Sequence, residues 1–269
     1  MTEQIKTHPD SFVVQKHFGP EMADIVINDE VHSAMIKLTD KIIDDKKSES
    51  HGASLAGVIE KELRIYKSDM IDAGVSEFME SCVQGYIKHC LFKKINNEFS
   101  HLDDDTITKM KNNVRIYSEI NSAWIVSQRQ NEYNPAHSHN GCEVSGVLYL
   151  KIPNVKNRRN LETKSNRPDM DGDIQFIYSS ASKRDGDCLD EGIRTVIPAD
   201  KKMVLFPSYL THLVYPFIGD EERRCVAFNA SYQGLQLVGK NENGKAEFNW
   251  LAGSKKGVGQ DFYYDKEKP

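Results

Sequence analysis

"NEYNPAHSHNGCEVSGVLYL", residues 131–150, sets two histidines one position apart immediately ahead of an apolar run. The run EVSGVLYLKI is rich in β-branched and aromatic residues and follows the turn signal Asn140-Gly141, so it reads as a strand. Side chains two apart on an extended segment point the same way, which lets His137 and His139 present their imidazoles to a common point. On that spacing alone two readings stand: a pair of metal ligands, or two polar residues in a turn.

A second stretch bears on the choice. In PADKKMVLFPSYLTHLVYPF, residues 198–217, a polar turn leads into MVLF, a turn follows at Pro207-Ser208, and His212 then opens another strand. Antiparallel strands far apart in sequence meet side by side in a small barrel, so His212 is placed to close a ligand set with the first pair. Arg224 comes twelve positions later, at the head of RCVAFN. On that strand Arg224, Val226 and Phe228 share one face, and Cys225, Ala227 and Asn229 share the other. If Val226 and Phe228 face the barrel interior, Arg224 does too, and a buried guanidinium calls for an anion such as a carboxylate. The competing reading leaves Arg224 exposed after the acidic turn GDEE.

These stretches belong to a larger pattern. From about residue 112 the chain breaks into short β-rich runs (VRIYSEINSAWIVSQ, DIQFIY, RTVI, MVLF, THLVYPF, RCVAFNASY), which predicts a closed or sandwiched antiparallel sheet. Two polar inserts, 154–172 and 179–192, interrupt it and read as loops. The first half is different. Val75, Phe78, Met79, Cys82, Val83, Tyr86, Ile87, Cys90 and Leu91 follow helical spacing for four turns. Further helices are expected over about Asp29 to Asp45 and, shorter, Leu55 to Tyr66, with the polar DDKKSESHGAS between them.

The order NPAHSHNG, SGVLYL, GDIQF, PADKKMVLFPSYLTHLVYPF, RRCVAFN resembles the iron(II)/2-oxoglutarate oxygenase superfamily, in particular a prolyl-hydroxylase-like hydroxylase branch of bacteria and phages. The resemblance covers roughly residues 112–232. It implies an α+β chain with a double-stranded β-helix (jelly-roll) core over 112–235, a mainly helical N-terminal portion over 1–111 packed on it, and a C-terminal extension over 236–269. It also implies Fe(II) and 2-oxoglutarate as cofactors, with His137 and His212 as metal ligands and Arg224 as anchor for the distal carboxylate of 2-oxoglutarate. Tyr149, in SGVLYL, would bond the same carboxylate, with Ser145 and Val226 placed in the cofactor pocket. The reaction implied is decarboxylation of 2-oxoglutarate to succinate coupled to hydroxylation of a substrate.

The sequence departs from the family pattern at one position: His139 stands where the H-x-D/E motif has an acid. Two imidazoles and a carboxylate form the usual facial triad for non-haem iron. Glu143 is the alternative third ligand, but on a regular strand it lies about 13 Å from position 139 unless Asn140-Gly141 folds the chain back. A set of His137, His139 and His212 is the preferred expectation. His139-Asn140-Gly141 also begins an H-x-G motif like that of iron halogenases, in which chloride replaces the carboxylate. The rivals from other classes are a cupin-like metal-binding protein or three-histidine dioxygenase that does not use 2-oxoglutarate, and an inactive barrel acting in protein interactions.

Composition bounds the partners. The chain of 269 residues has 35 basic and 40 acidic side chains and a formal net charge of −5, so no global positive field draws it to nucleic acid or an anionic membrane. No apolar stretch is long enough to span a bilayer, the N-terminus MTEQIKTHPD has no apolar targeting core, and the five cysteines form no CxxC pair. A cytoplasmic location with reduced thiols is expected. The substrate, a small molecule or a protein side chain, has no signature in the sequence.

Overall fold

The computed structural model describes residues 9–16, 19–153, 171–178, 192–242 and 244–255. At its centre is β6 (Val144–Lys151), in which seven of eight residues are buried. A strand buried on both faces loses the apolar–polar alternation of a half-exposed one, which is why SGVLYL reads as a continuous apolar run. Its alternate residues serve two different cores. Val144, Leu148 and Leu150 join a cluster with the helices, while Val147 and Tyr149 join a second cluster on the opposite face.

β6 pairs antiparallel with β9 (Lys202–Pro207) and β11 (Arg223–Lys240). From there the large sheet extends on one side to β2 (Glu21–Val26) and β1 (Ser11–Lys16), and on the other to β4 (Val114–Gln128) and β3 (Lys61–Ile65). The strand β12 (Ala246–Gly253) adds to the far part of β11. The small sheet runs β5 (Asn134–His137), β10 (Thr211–Val214), β7 (Ile174–Ile177), β8 (Ile193–Val196). Its inward residues Ile174, Phe176, Val196 and Val214 pack against Val147, Tyr149, Val204 and Phe206 of the large sheet. Phe176 and Phe206 meet edge to face across this interface at 4.8 Å between centroids. Two facing antiparallel sheets joined in this way form the expected double-stranded β-helix.

The helices α1 (Asp29–Asp44) and α3 (Ser76–Glu98) cover the outer face of the large sheet, as the helical spacing predicts. α1 starts where the Asn28 side chain accepts the Val31 N–H at 2.9 Å, and it buries Val31, Met35, Leu38 and Ile42. α3 buries Phe78, Met79, Cys82, Val83, Tyr86, Ile87 and Leu91. Under this layer Gly146 lets the Phe228 ring approach the backbone of β6; a Cβ there would lie 2.2 Å from that ring. Two shorter helices, α2 (Lys67–Asp72) and α4 (Asp104–Asn112), were not foreseen.

Four expectations change. The segment 55–66 is not a helix: it contains an isolated bridge at Val58 and then β3, in which Glu62 and Arg64 point to one face and Leu63 and Ile65 to the other. The N-terminal portion is not only a helical cover, since β1, β2 and β3 all belong to the large sheet. The boundary at 235/236 falls inside β11. The two polar inserts, except for residues at their edges, lie outside the described residues.

The fourth change concerns Arg224 and Val226. Both lie on the helix-side face of β11, not the face turned to the second sheet, because α1 and α3 make that outer face as dry as the inner one. Arg224 is 4% exposed, and its anions belong to the chain itself. Its guanidinium donates two 2.8 Å bonds to Glu222 and further bonds to Asp40 and Thr39 of α1. The Arg224 hydrogen bond holds the Asp40 carboxyl below the usual carboxylate range. Arg224 thus ties α1 to the sheet. Arg224→Ala should destabilise the fold by about 3 kcal/mol, mostly by leaving Glu222 without its fork, since Asp40 is half exposed and screened. Urea unfolding of the variant measures this loss.

Candidate active site

Three histidines converge between the sheets. The register of β5 and β10 sets His137 directly opposite His212, with ring centroids 4.3 Å apart. His139 follows two residues beyond His137, where its backbone N–H donates to Ser208 at 2.9 Å, and its ring lies 5.1 Å from that of His212. One ligand nitrogen from each of the three can be chosen so that all lie within 4.8 Å of one another. The orientation of each ring is fixed from behind. Nδ1 of His137 is 2.7 Å from the Pro135 carbonyl, Nδ1 of His212 is 2.9 Å from the Leu210 carbonyl, and Nδ1 of His139 is 2.6 Å from Oδ1 of Asn229. A carbonyl-type oxygen requires a donor opposite it, so Nδ1 carries the proton in each ring and the Nε2 lone pair is left to a ligand. Burial lowers the pKa of His139, and burial together with His137 brings that of His212 down to about 3, so both are neutral at pH 7. This donor set suits a divalent transition metal.

Glu143 is not part of this cluster. The chain bends through Gly141, at φ 76°, and Glu143 lines a groove with Tyr86, Lys93, Tyr209 and Tyr232. Ser145 does face the histidines, but as a support. Its hydroxyl donates to Oδ1 of Asn229 at 2.9 Å and sits 3.1 Å from Nδ1 of His139.

The arginine that enters the site is Arg223. Strand alternation puts it on the same face of β11 as Cys225, Ala227 and Asn229, and it is 1% exposed. Its guanidinium carbon lies 5.1 Å from the centroid of Tyr149, and one terminal nitrogen reaches Sγ of Cys225 at 3.7 Å. Among the described residues Nε has no hydrogen-bond partner, and the buried Tyr149 hydroxyl, whose pKa burial pushes up, has none but the Arg223 guanidinium beside it. A guanidinium this buried, with no carboxylate paired to it among the described residues, is complete only when an anion enters from the cavity it shares with the histidines.

Residues 122–229 match a family model described as "Putative 2OG-Fe(II) oxygenase". Over that segment, two fifths of the chain, the protein is similar to 2OG-Fe(II) oxygenases. The family's cofactors are Fe(II) and 2-oxoglutarate, in keeping with three imidazoles in one cavity with an arginine that has no carboxylate partner among the described residues. Among solved structures, a prolyl-4-hydroxylase of Pseudomonas putida is 16% identical, with a TM-score of 0.40 over 81% of this chain and 91% of that one. A prolyl hydroxylase of Trichoplax adhaerens in complex with a hypoxia inducible factor peptide fragment is 12% identical, with a TM-score of 0.46 over 81% and 82%. A viral collagen prolyl hydroxylase from Paramecium Bursaria Chlorella virus-1 is 11% identical, with a TM-score of 0.39 over 78% and 94%. No curated protein matches the sequence.

The oxygenase site includes residues that the motifs did not single out. Asn229 was legible as a face-mate of Cys225 and Ala227, once that face is taken as the inner one. Trp124 of β4 stacks near His139, 6.0 Å between centroids. Glu62 of β3 lines the same cavity at 2% exposure, and was hidden in a segment that reads as helix. Burial, reinforced by the charge of Glu132, pushes its pKa up to about 7. A carboxyl raised from 4.5 in the unfolded chain to about 7 in the fold leaves stability intact below pH 4.5 and lowers it as pH climbs through that window. Glu62→Gln, which never ionises, should therefore gain on the wild type by about 3 kcal/mol between pH 4.5 and pH 8. Chemical unfolding of both proteins across that range checks the sign and size.

Proposed function

We propose that the oxygenase is a hydroxylase whose Fe(II) is held by Nε2 of His137, His139 and His212, and whose 2-oxoglutarate is held by Arg223 and Tyr149. The observation that carries the reading is the pairing of two incomplete features in one cavity. Three rings each have Nδ1 committed to a protein oxygen, and a buried arginine has no carboxylate partner among the described residues. When bound, the two cofactors supply the oxidising chemistry: oxygen is reduced as 2-oxoglutarate is decarboxylated to succinate and a substrate C–H bond is oxidised.

The chain's own part is to position and to exclude water. Pro135, Leu210 and Asn229 keep the three imidazoles aimed and in one tautomer. Arg223 offers a two-donor fork to a carboxylate, and the Tyr149 hydroxyl beside it offers a further donor. Phe206, Val147, Ile174 and Val214 wall the cavity with apolar surface, which strengthens those charged hydrogen bonds. With three neutral imidazoles the metal keeps one more unit of positive charge than beside a carboxylate ligand, which favours anionic co-ligands. The three-histidine set is also what a dioxygenase independent of 2-oxoglutarate would use; the unpaired Arg223 favours the 2-oxoglutarate reading.

His212→Ala and His139→Ala should each abolish stoichiometric Mn(II) binding by the folded protein, whereas Glu143→Gln should retain it. Metal analysis after gel filtration decides between them. Arg223→Ala should weaken 2-oxoglutarate binding to the Mn(II)-loaded protein by about 2–4 kcal/mol, the loss of a dry charged hydrogen-bonding pair. Arg224→Ala should leave that affinity near wild type despite its lower stability. Calorimetric titration of the two variants giving the reverse order would overturn the assignment of Arg223.

A further inference from the structure

Glu62 has no role in the cofactor sites proposed above, yet it is a carboxyl buried in their cavity. Its side chain has neither a hydrogen bond nor an ion pair among the described residues. The charge that bears on it is the like charge of Glu132, whose own carboxylate is engaged by the backbone N–H groups of Glu60 and Arg129. Burying an acid without a partner is unfavourable, and folded chains rarely retain one without a use for it. The preceding loop lies against Glu62: a Cβ on Gly52 or on Gly57 would fall 3.5 Å from one of its carboxyl oxygens, at van der Waals contact.

The surroundings say what would complete it. Leu55, Ala56, Trp124 and Val126 line the cavity together with Glu62 and give it apolar surface, which suits an alkyl stem. Among the described residues no cation pairs with Glu62, and the charge of Glu132 adds to its own; with Arg223 of the same cavity left to the cosubstrate, Glu62 suits a positively charged head bearing N–H donors.

We propose that Glu62 is the specificity-determining residue of the active site and selects a substrate that carries an alkyl-linked organic cation, an ammonium or guanidinium group. The proposal rests on the reading of this cavity as the oxygenase site. Glu62 forms a charged hydrogen-bonding pair with the head of the substrate, and the apolar wall holds the stem so that a carbon of the substrate lies toward the three histidines.

The test uses n-butylguanidinium, its neutral isostere n-butylurea, and the anion valerate, each titrated at pH 8 into Mn(II)-loaded protein with N-oxalylglycine. Paramagnetic relaxation of the probe protons is the readout. Wild type should bind n-butylguanidinium at least tenfold more tightly than n-butylurea and should not take valerate. Glu62→Gln should erase that preference, and Glu62→Asp should keep part of it. Equal binding of the cation and the urea by wild type, no saturable binding of the cation, or an unchanged preference in Glu62→Gln would each overturn the proposal. So would loss of Mn(II) and N-oxalylglycine binding in Glu62→Gln, which would make Glu62 a structural residue. Failure of the metal reading has a separate signature: wild type itself would not retain Mn(II).

Discussion

The burial on both faces of β6 and of the first half of β11 is the constraint from which the rest of the structure follows. A sheet sandwiched between helices and a second sheet has no solvent face, so each strand supplies two apolar cores with alternate residues. Charged groups on such strands must then find partners within the fold or from a ligand. The adjacent arginines illustrate both outcomes. Arg224 turns to the helices and meets Glu222 and Asp40; Arg223 turns to the second sheet and meets an aromatic ring and a thiol, with no acid among its contacts. The same alternation places Asn229 behind His139 and Phe228 under Gly146.

Among the described residues no carboxylate joins the three histidines. Desolvation keeps His139 and His212 neutral, and their Nδ1 protons are held by neutral oxygen acceptors. An Asp or Glu in place of His139 would bring a negative charge that needs no tautomer control. An imidazole there does need it, and Asn229 with Ser145 supplies it. The histidine at position 139 is therefore held by a support of its own, Asn229 and Ser145.

Much of this was legible in the sequence, and the failures have physical causes. The histidine triad could be read because HxH spacing and a later strand-opening histidine survive any uncertainty in strand ends. The helices at 29–44 and 76–98 could be read because their apolar stripes keep helical spacing. Arg223 and Arg224 were exchanged because parity tells which residues share a face but not which of two dry faces holds the site. Glu62 was missed because Leu55, Val58, Ile59 and Leu63 satisfy a helical spacing by chance, while β3 gets its partner from β4, some sixty residues away along the chain. Non-local pairing of that kind overrides local pattern and leaves no trace in it.

The segment that matches the oxygenase family spans 122–229, and His137, His139, Tyr149, His212 and Arg223 all fall inside it. Leu55, Ala56 and Glu62 do not; they reach the cavity from a separate stretch whose only strand joins the edge of the large sheet. Part of the cavity wall is thus encoded apart from the histidines. An edge strand and its preceding loop can be exchanged with little disturbance to the strands that aim the imidazoles, which makes residues 51–65 the natural graft site for redirecting this catalyst to a different substrate while its oxidative machinery is left in place.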